Sequence, residues 1–151
     1  MSLKYEDLLR QRPDQPCPCT KAFVARGQTA FRLMRNPPTD DRDFVPPPML
    51  PGGRLGPRDP CERLALSFFD TPHAAQRLFE AMHKRFNENT TKRYGDHIGE
   101  IDLVAADGLM SAPDQKGHIN LHQDMKAEFA HRVKNLRKIS RTGPLGGSNV
   151  A

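Results

Sequence analysis

The period of the apolar positions changes several times along the chain, and each change marks an element. Over residues 64–69, Leu64, Leu66 and Phe68 share one face of an extended segment, with Ala65, Ser67 and Phe69 on the other. Apolar residues on both faces predict a central, buried strand. The period then becomes helical. Ala74, Ala75, Leu78, Phe79, Met82 and Phe86 form one stripe, while Arg77, Glu80 and Lys84 face water, the last two as an i,i+4 pair. Asp70 or Thr71 caps this helix, and Pro72 suits its first turn because a missing N–H costs nothing there. Earlier, residues 3–10 read as a short helix with Ser2 as its N-cap, and residues 22–24 and 29–34 read as strands separated by Gly27. Phe31 and Leu33 occupy one face of the second strand, Arg32 and Met34 the other.

Beyond the long helix, residues 87–96 are polar and read as loop. Residues 97–104 alternate, setting Ile101 and Leu103 opposite Glu100 and Asp102. Asp107-Gly108 is a turn signal, in a connection extending to residues 114–117. Residues 118–124 alternate strictly, with Ile119 and Leu121 inward and His118, Asn120, His122 and Asp124 outward. From Met125 the apolar positions Met125, Phe129, Val133, Leu136 and Ile139 recur every three or four residues. That spacing predicts an amphipathic helix, with a strand through Phe129, His131 and Val133 as the alternative.

Residues 36–60 stand apart. They hold Pro37-Pro38, the acidic Asp40, Asp41 and Asp43, then Pro46-Pro47-Pro48, Gly52-Gly53 and Gly56-Pro57. Proline fixes φ and removes a backbone donor, so this stretch reads as a long inserted loop. One expectation is that the segment from Pro46 to Pro57 docks into a larger assembly, since Pro-rich chain is pre-ordered and loses little entropy on binding. The expected architecture is α+β: a small mixed or antiparallel sheet packed against one or two helices, with this Pro/Gly-rich loop. At 151 residues, with 14 prolines, 11 glycines and only 36% hydrophobic residues, the chain suits one domain over residues 1–141 and a flexible tail over 142–151.

Charge alters this picture only at one end. The net charge is +5, and residues 126–151 carry all of it: Lys126, Arg132, Lys134, Arg137, Lys138 and Arg141 stand against Glu128 alone. A helix there would present this set to solvent and attract phosphates or an acidic surface. Phe129 is the one Phe, Tyr or Trp of the segment and falls on its apolar stripe, so no exposed aromatic is offered for base stacking, which argues against sequence-specific single-strand recognition. The three cysteines, Cys17, Cys19 and Cys61, cannot all pair within one chain, and reduced thiols are expected. No apolar run reaches the length of a membrane span, and residues 1–7 lack the apolar core of a secretory signal. A cytoplasmic protein without a membrane partner is therefore expected.

His118 and His122 have the sequence spacing of a helical zinc pair, but on a strand they lie about 13 Å apart, too far to share one ion. Cys17-Pro18-Cys19 has no second pair at metal-site spacing, so no metal is expected. The strand face of His118, Asn120, His122 and Asp124 reads either as solvated surface or as a pocket wall, with Glu100 and Asp102 on a neighbouring strand supplying carboxylates for a general-base pair.

One ordered series of segments resembles the ADP-ribosyltransferase fold. Phe31-Arg32-Leu33-Met34 is similar to its first strand, whose polar residue grips a nicotinamide dinucleotide. Residues 66–75, Leu-Ser-Phe-Phe-Asp-Thr-Pro-His-Ala-Ala, resemble its second motif, a strand running into an Ala-rich helix. Residues 98–104 and 118–124 correspond to later strands. The family's final motif supplies a glutamate that orients ribose hydroxyls; here that region reads His122-Gln123-Asp124, with Glu128 the nearest glutamate. The resemblance implies Arg32, Ser67 and Gln123 or Glu128 as catalytic residues and NAD as the nucleotide used; outside it no cofactor is expected. Two functional expectations follow. The first is a non-catalytic binding or adaptor domain that engages an acidic protein or a nucleic acid through its basic end; the second is a nucleotide-using enzyme.

Overall fold

The computed structural model describes residues 1–86 and 89–140. Arg141 and the expected tail over 142–151 lie outside the described residues. Among those described, the chain runs α1 (Glu6–Arg10), β1 (Phe23–Val24), β2 (Gln28–Met34), α2 (Asp40–Asp43), β3 (Leu66–Phe69), α3 (Pro72–Phe86), α4 (Asn89–Tyr94), β4 (His97–Leu103), β5 (Gly108–Ser111), β6 (His118–Gln123) and β7 (Lys134–Lys138). The strands form one seven-stranded sheet in the order β1-β5-β6-β3-β2-β4-β7, and every neighbouring pair is antiparallel. The fold is α+β.

Alternation along the strands divides the core. One face carries Ala30, Met34, Leu66, Phe68, Ile101, Leu103, Met110, Ile119 and Leu121, closed by Phe44 and Phe129. The other face carries Leu33, Phe69 and Ile98, onto which α3 lays Ala74, Ala75 and Phe79. The Thr71 hydroxyl accepts the Ala74 N–H at 3.1 Å, so the cap read from the sequence forms. Glu80 is instead bonded by Gln76 at 3.4 Å. Towards β5 and β6, Leu3, Leu9, Cys61 and Leu64 make a third cluster under the N-terminal arm.

Several expectations are corrected. Helix α1 is shorter than residues 3–10, because Leu3 is drawn into a bridge with Asp124. Residues 87–96 are not all loop: α4 occupies Asn89–Tyr94, and Arg35 satisfies its last carbonyls by donating to the oxygens of Lys92 and of Arg93, the latter at 2.9 Å. Gly95 ends it with φ +79°, where a Cβ would collide with the Met34 carbonyl. The turn at Asp107-Gly108 leads into β5, which the sequence reading missed. The Pro/Gly-rich loop contains α2 and one 3-10 turn, Pro47–Met49; a second 3-10 turn, Cys61–Leu64, follows it, so that the strand expected from Leu64 begins at Leu66.

The basic C-terminal helix does not form. Residues Ala130–Arg132 make one 3-10 turn and Lys134–Lys138 pair with β4 as an edge strand. Three features select this outcome. The Asp40 carboxylate accepts the N–H groups of Phe129 (2.7 Å) and Ala130 (3.2 Å), which buries Phe129 on the sheet. Asn135 takes φ +52°, a conformation asparagine tolerates, and bulges the strand past Gly99. Lys134 then meets Asp102 at 2.8 Å and Glu100 at 3.6 Å across the ladder. Met125, placed in the apolar stripe by its spacing, is 57% exposed.

The cysteines also depart from expectation. Cys17 and Cys61 are joined as a disulfide, with Cα atoms 5.9 Å apart, and Cys19 is the free thiol. The bond ties the N-terminal arm to the 3-10 turn preceding β3.

Candidate functional site

The centre of the sheet is open on one side. Strands β2 and β4 pair along their whole length, from Gln28 opposite Leu103 to Met34 opposite His97. By contrast, β2 and β3 are in register only at Phe31 and Phe69. Past that point they splay, and the Arg32 side chain spans the gap. Its Nη1 donates to the Ser67 carbonyl and its Nε to the Asp43 carbonyl, each at 2.7 Å. The guanidinium carbon sits 5.6 Å from the ring centroids of both Phe44 and Phe68, within cation–π range. Burial pulls Arg32 down to about 10, with Asp43 opposing the shift, so it remains a cation at neutral pH.

This gap is the floor of a cleft of about 900 Å³. The Pro/Gly-rich loop forms one wall through Val45, Pro47 and residues 50–54. Helices α3 and α4 form the other through Leu78, Met82, Lys92, Arg93 and Tyr94. Leu78 is 36% exposed, because the cleft and not the sheet receives it.

The cleft is strongly cationic. Six arginines (Arg32, Arg35, Arg42, Arg54, Arg63 and Arg93) and Lys92 line it against one carboxylate, Asp43. The Asp43 side chain is fully buried and already committed. It pairs with Arg35 at 3.1 Å and Arg42 at 3.4 Å and accepts the N–H groups of Arg35 and Thr39. A concave surface with an excess of one sign and low-dielectric walls focuses potential on an anion.

Ser67 faces the cleft, and its Oγ lies 2.9 Å from His118 Nε2. The His118 ring also packs on Phe69, with centroids 5.4 Å apart, and burial lowers its affinity for a proton against opposing charges on Asp114 and Glu62. Asp114 is held below the ordinary carboxylate range by the backbone N–H groups of His118 and Lys116.

Of the residues singled out in the sequence, Arg32 and Ser67 meet in this cleft and His118 adjoins it. Gln123 and Glu128 do not join them. Gln123 shares the opposite sheet face with Ile119 and Leu121 and is buried at the far end of β6, while Glu128 is exposed before the 3-10 turn. The face of His118, Asn120, His122 and Asp124 is not uniformly solvated. His122 is 1% exposed, 3.5 Å from Cys61 Sγ and stacked obliquely on Phe23, and burial drives it down to about 4. The basic set is partly neutralised: Arg132 grips Asp107 through both terminal nitrogens, at 2.8 and 2.7 Å, and Lys134 holds Asp102. The sequence reading missed Arg35, Arg42, Arg54 and Arg63. Their signal was that all four lie within or just outside residues 36–60.

Among the described residues, no three or more His, Cys, Asp or Glu are grouped to hold a metal ion, and no helix is long and apolar enough to cross a membrane. No protein-family model, curated protein or solved structure matches this chain.

Proposed function

We propose that the chain binds a phosphate-bearing nucleotide in the cleft between β2 and β3 and acts on it, in the manner of an ADP-ribosyltransferase-like enzyme using NAD. The observation that carries the reading is Arg32 spanning the splayed strands beneath six further cations. Two bonds to carbonyls leave further N–H donors on its guanidinium for a ligand. The cationic rim suits a diphosphate, and Leu78, Met82 and Tyr94 offer apolar surface to flat rings. The resemblance carried by residues 31–34 and 66–75 adds that Arg32 and Ser67 belong together, and they share this cleft.

The test is calorimetric titration of the full chain with NAD, ADP-ribose and ATP, alongside release of nicotinamide from NAD. Arg32→Ala should weaken binding by roughly ten- to a hundredfold, the effect of losing a charge-assisted hydrogen bond worth about 1.5–3 kcal/mol. Circular dichroism would show that the variant still folds. Absence of binding by all three nucleotides would remove the proposal.

A second reading is a non-catalytic domain that engages an acidic protein or nucleic acid through its C-terminal edge. It is favoured by β7, an edge strand on which Arg137 and Lys138 stay exposed, with exposed Lys126 preceding it. Replacing these three residues by Glu should abolish capture on an anionic surface while leaving nucleotide titration unchanged. Unchanged capture would dismiss this reading.

A further inference from the structure

We propose that Ser67 is a nucleophile activated by His118, and that the cleft uses it to cleave an ester or thioester whose leaving group carries a phosphate. The choice of leaving group rests on the nucleotide reading above; the nucleophile rests on geometry of its own. Ser67 Oγ and His118 Nε2 are 2.9 Å apart, the reach of a nucleophile–base pair. The third position of such an arrangement is taken by Asp114, whose Oδ2 lies 4.0 Å from His118 Nδ1. That distance is too long for a hydrogen bond, so Asp114 acts by charge, favouring the proton on Nδ1 and leaving the Nε2 lone pair for the serine. Its carboxylate is fixed by the turn itself, since Asp114 Oδ1 accepts the N–H groups of Lys116 at 2.8 Å and His118 at 3.0 Å. The residues come from two adjacent strands in rigid register, with Ser67 opposite Asn120 and Phe69 opposite His118. The Phe69 ring limits rotation of the imidazole.

The chemistry closes on these groups. Ser67 Oγ bonds to the carbonyl carbon as its proton passes to His118 Nε2. The imidazolium then gives that proton to the departing oxygen or sulfur, leaving an ester on Ser67. Water deprotonated by the same nitrogen hydrolyses this ester, releasing the carboxylic acid and restoring both side chains. Arg32, bonded to the Ser67 carbonyl at 2.7 Å, holds the main chain of the nucleophile in place.

The test is reaction of the full chain with a fluorophosphonate probe, which phosphonylates an activated serine and expels fluoride. One adduct mapped to Ser67 by peptide mass spectrometry, and absent from heat-denatured protein, is the expected result. His118→Gln should slow labelling on the order of a hundredfold, the range of general-base contributions. No adduct on the folded wild-type chain, an adduct elsewhere, or an unchanged rate in a folded His118→Gln variant would overturn the proposal. Should that variant fail to fold, the wild-type adduct map decides alone. Nucleotide titration of unlabelled protein separates the two claims. Nucleotide binding without labelling sinks the nucleophile alone, and labelling without nucleotide binding sinks the phosphate-bearing leaving group.

Discussion

Acid should destabilise this protein through His122. The side chain is 1% exposed, wedged between Cys61 and the Phe23 ring, and its Nδ1 has no hydrogen-bond partner among the described residues. Burial lowers it from 6.5 to about 4, and Asp14 offsets only part of that. Above pH 6.5 the ring is neutral in both the native and the unfolded chain, so stability is at its full value. As pH falls from 6.5 towards 4, the unfolded chain takes up a proton that the native one refuses, and stability declines. Below about 4 both states carry the proton and the loss is complete. At about 1.4 kcal/mol per unit, the drop amounts to about 3 kcal/mol, a large share of an ordinary domain's stability. The assay is urea unfolding at a series of pH values for the wild type and His122→Gln, which keeps an amide near the position of Nε2. Carboxylates titrate in both proteins and cancel in the comparison. The wild type should lose about 2–3 kcal/mol relative to the variant between pH 7 and pH 4.5. Parallel stability curves would show that His122 does not set the acid sensitivity.

Other expectations follow from the same contacts. Reduction of the Cys17–Cys61 bond, which spans a sequence separation of 44, should remove about 4 kcal/mol on the chain-entropy account. Scanning calorimetry with and without reductant would register this as a fall in Tm, and an unchanged Tm would contradict it. Arg132→Ala leaves Asp107, which is 4% exposed, without its paired cation, and should destabilise by about 1–3 kcal/mol in urea unfolding, since Arg132 is partly exposed and the Val104 N–H still serves the carboxylate. If Arg132 were instead an uncommitted binding residue, its removal would scarcely change stability. Gly95→Ala should destabilise beyond the φ penalty, because its Cβ meets the Met34 backbone, and it should weaken nucleotide binding by displacing Arg93. Binding at wild-type strength in a folded variant would show that α4 does not shape the cleft.

Elements whose information is local could be read from the sequence, and those decided by distant partners could not. The α3 stripe of Ala74, Ala75 and Phe79, the Thr71 cap and the two-faced strand ending at Phe69 all rest on neighbours in the chain, and the structure contains them. The C-terminal segment carried an equally regular helical spacing. Its conformation is set by Asp40, Glu100 and Asp102, which lie 30 or more residues away. Helix α4 is polar and short, and its end is completed by Arg35, so its own residues gave little sign of it. Cys17 meets Cys61 only because the N-terminal arm packs against the 3-10 turn before β3 and against Leu109, which no spacing rule reveals. For the site, Arg32 and Ser67 stood out because each sits on a recognisable strand. The cationic wall did not, since Asp40, Asp41, Asp43 and Asp59 balance the arginines of the loop in any local count. Folding buries Asp43, turns Asp40 to the Phe129 amide and pairs Asp59 with Arg63, and the cations lining the cleft still outnumber these carboxylates.

The measurement that bears most directly on the central claim is titration of the full chain with NAD at low and high salt, for the wild type and Arg32→Ala. Saturable binding is expected that weakens as salt screens the cationic wall and falls roughly ten- to a hundredfold in the variant. Binding indifferent to both salt and Arg32, or no binding at all, would contradict that claim.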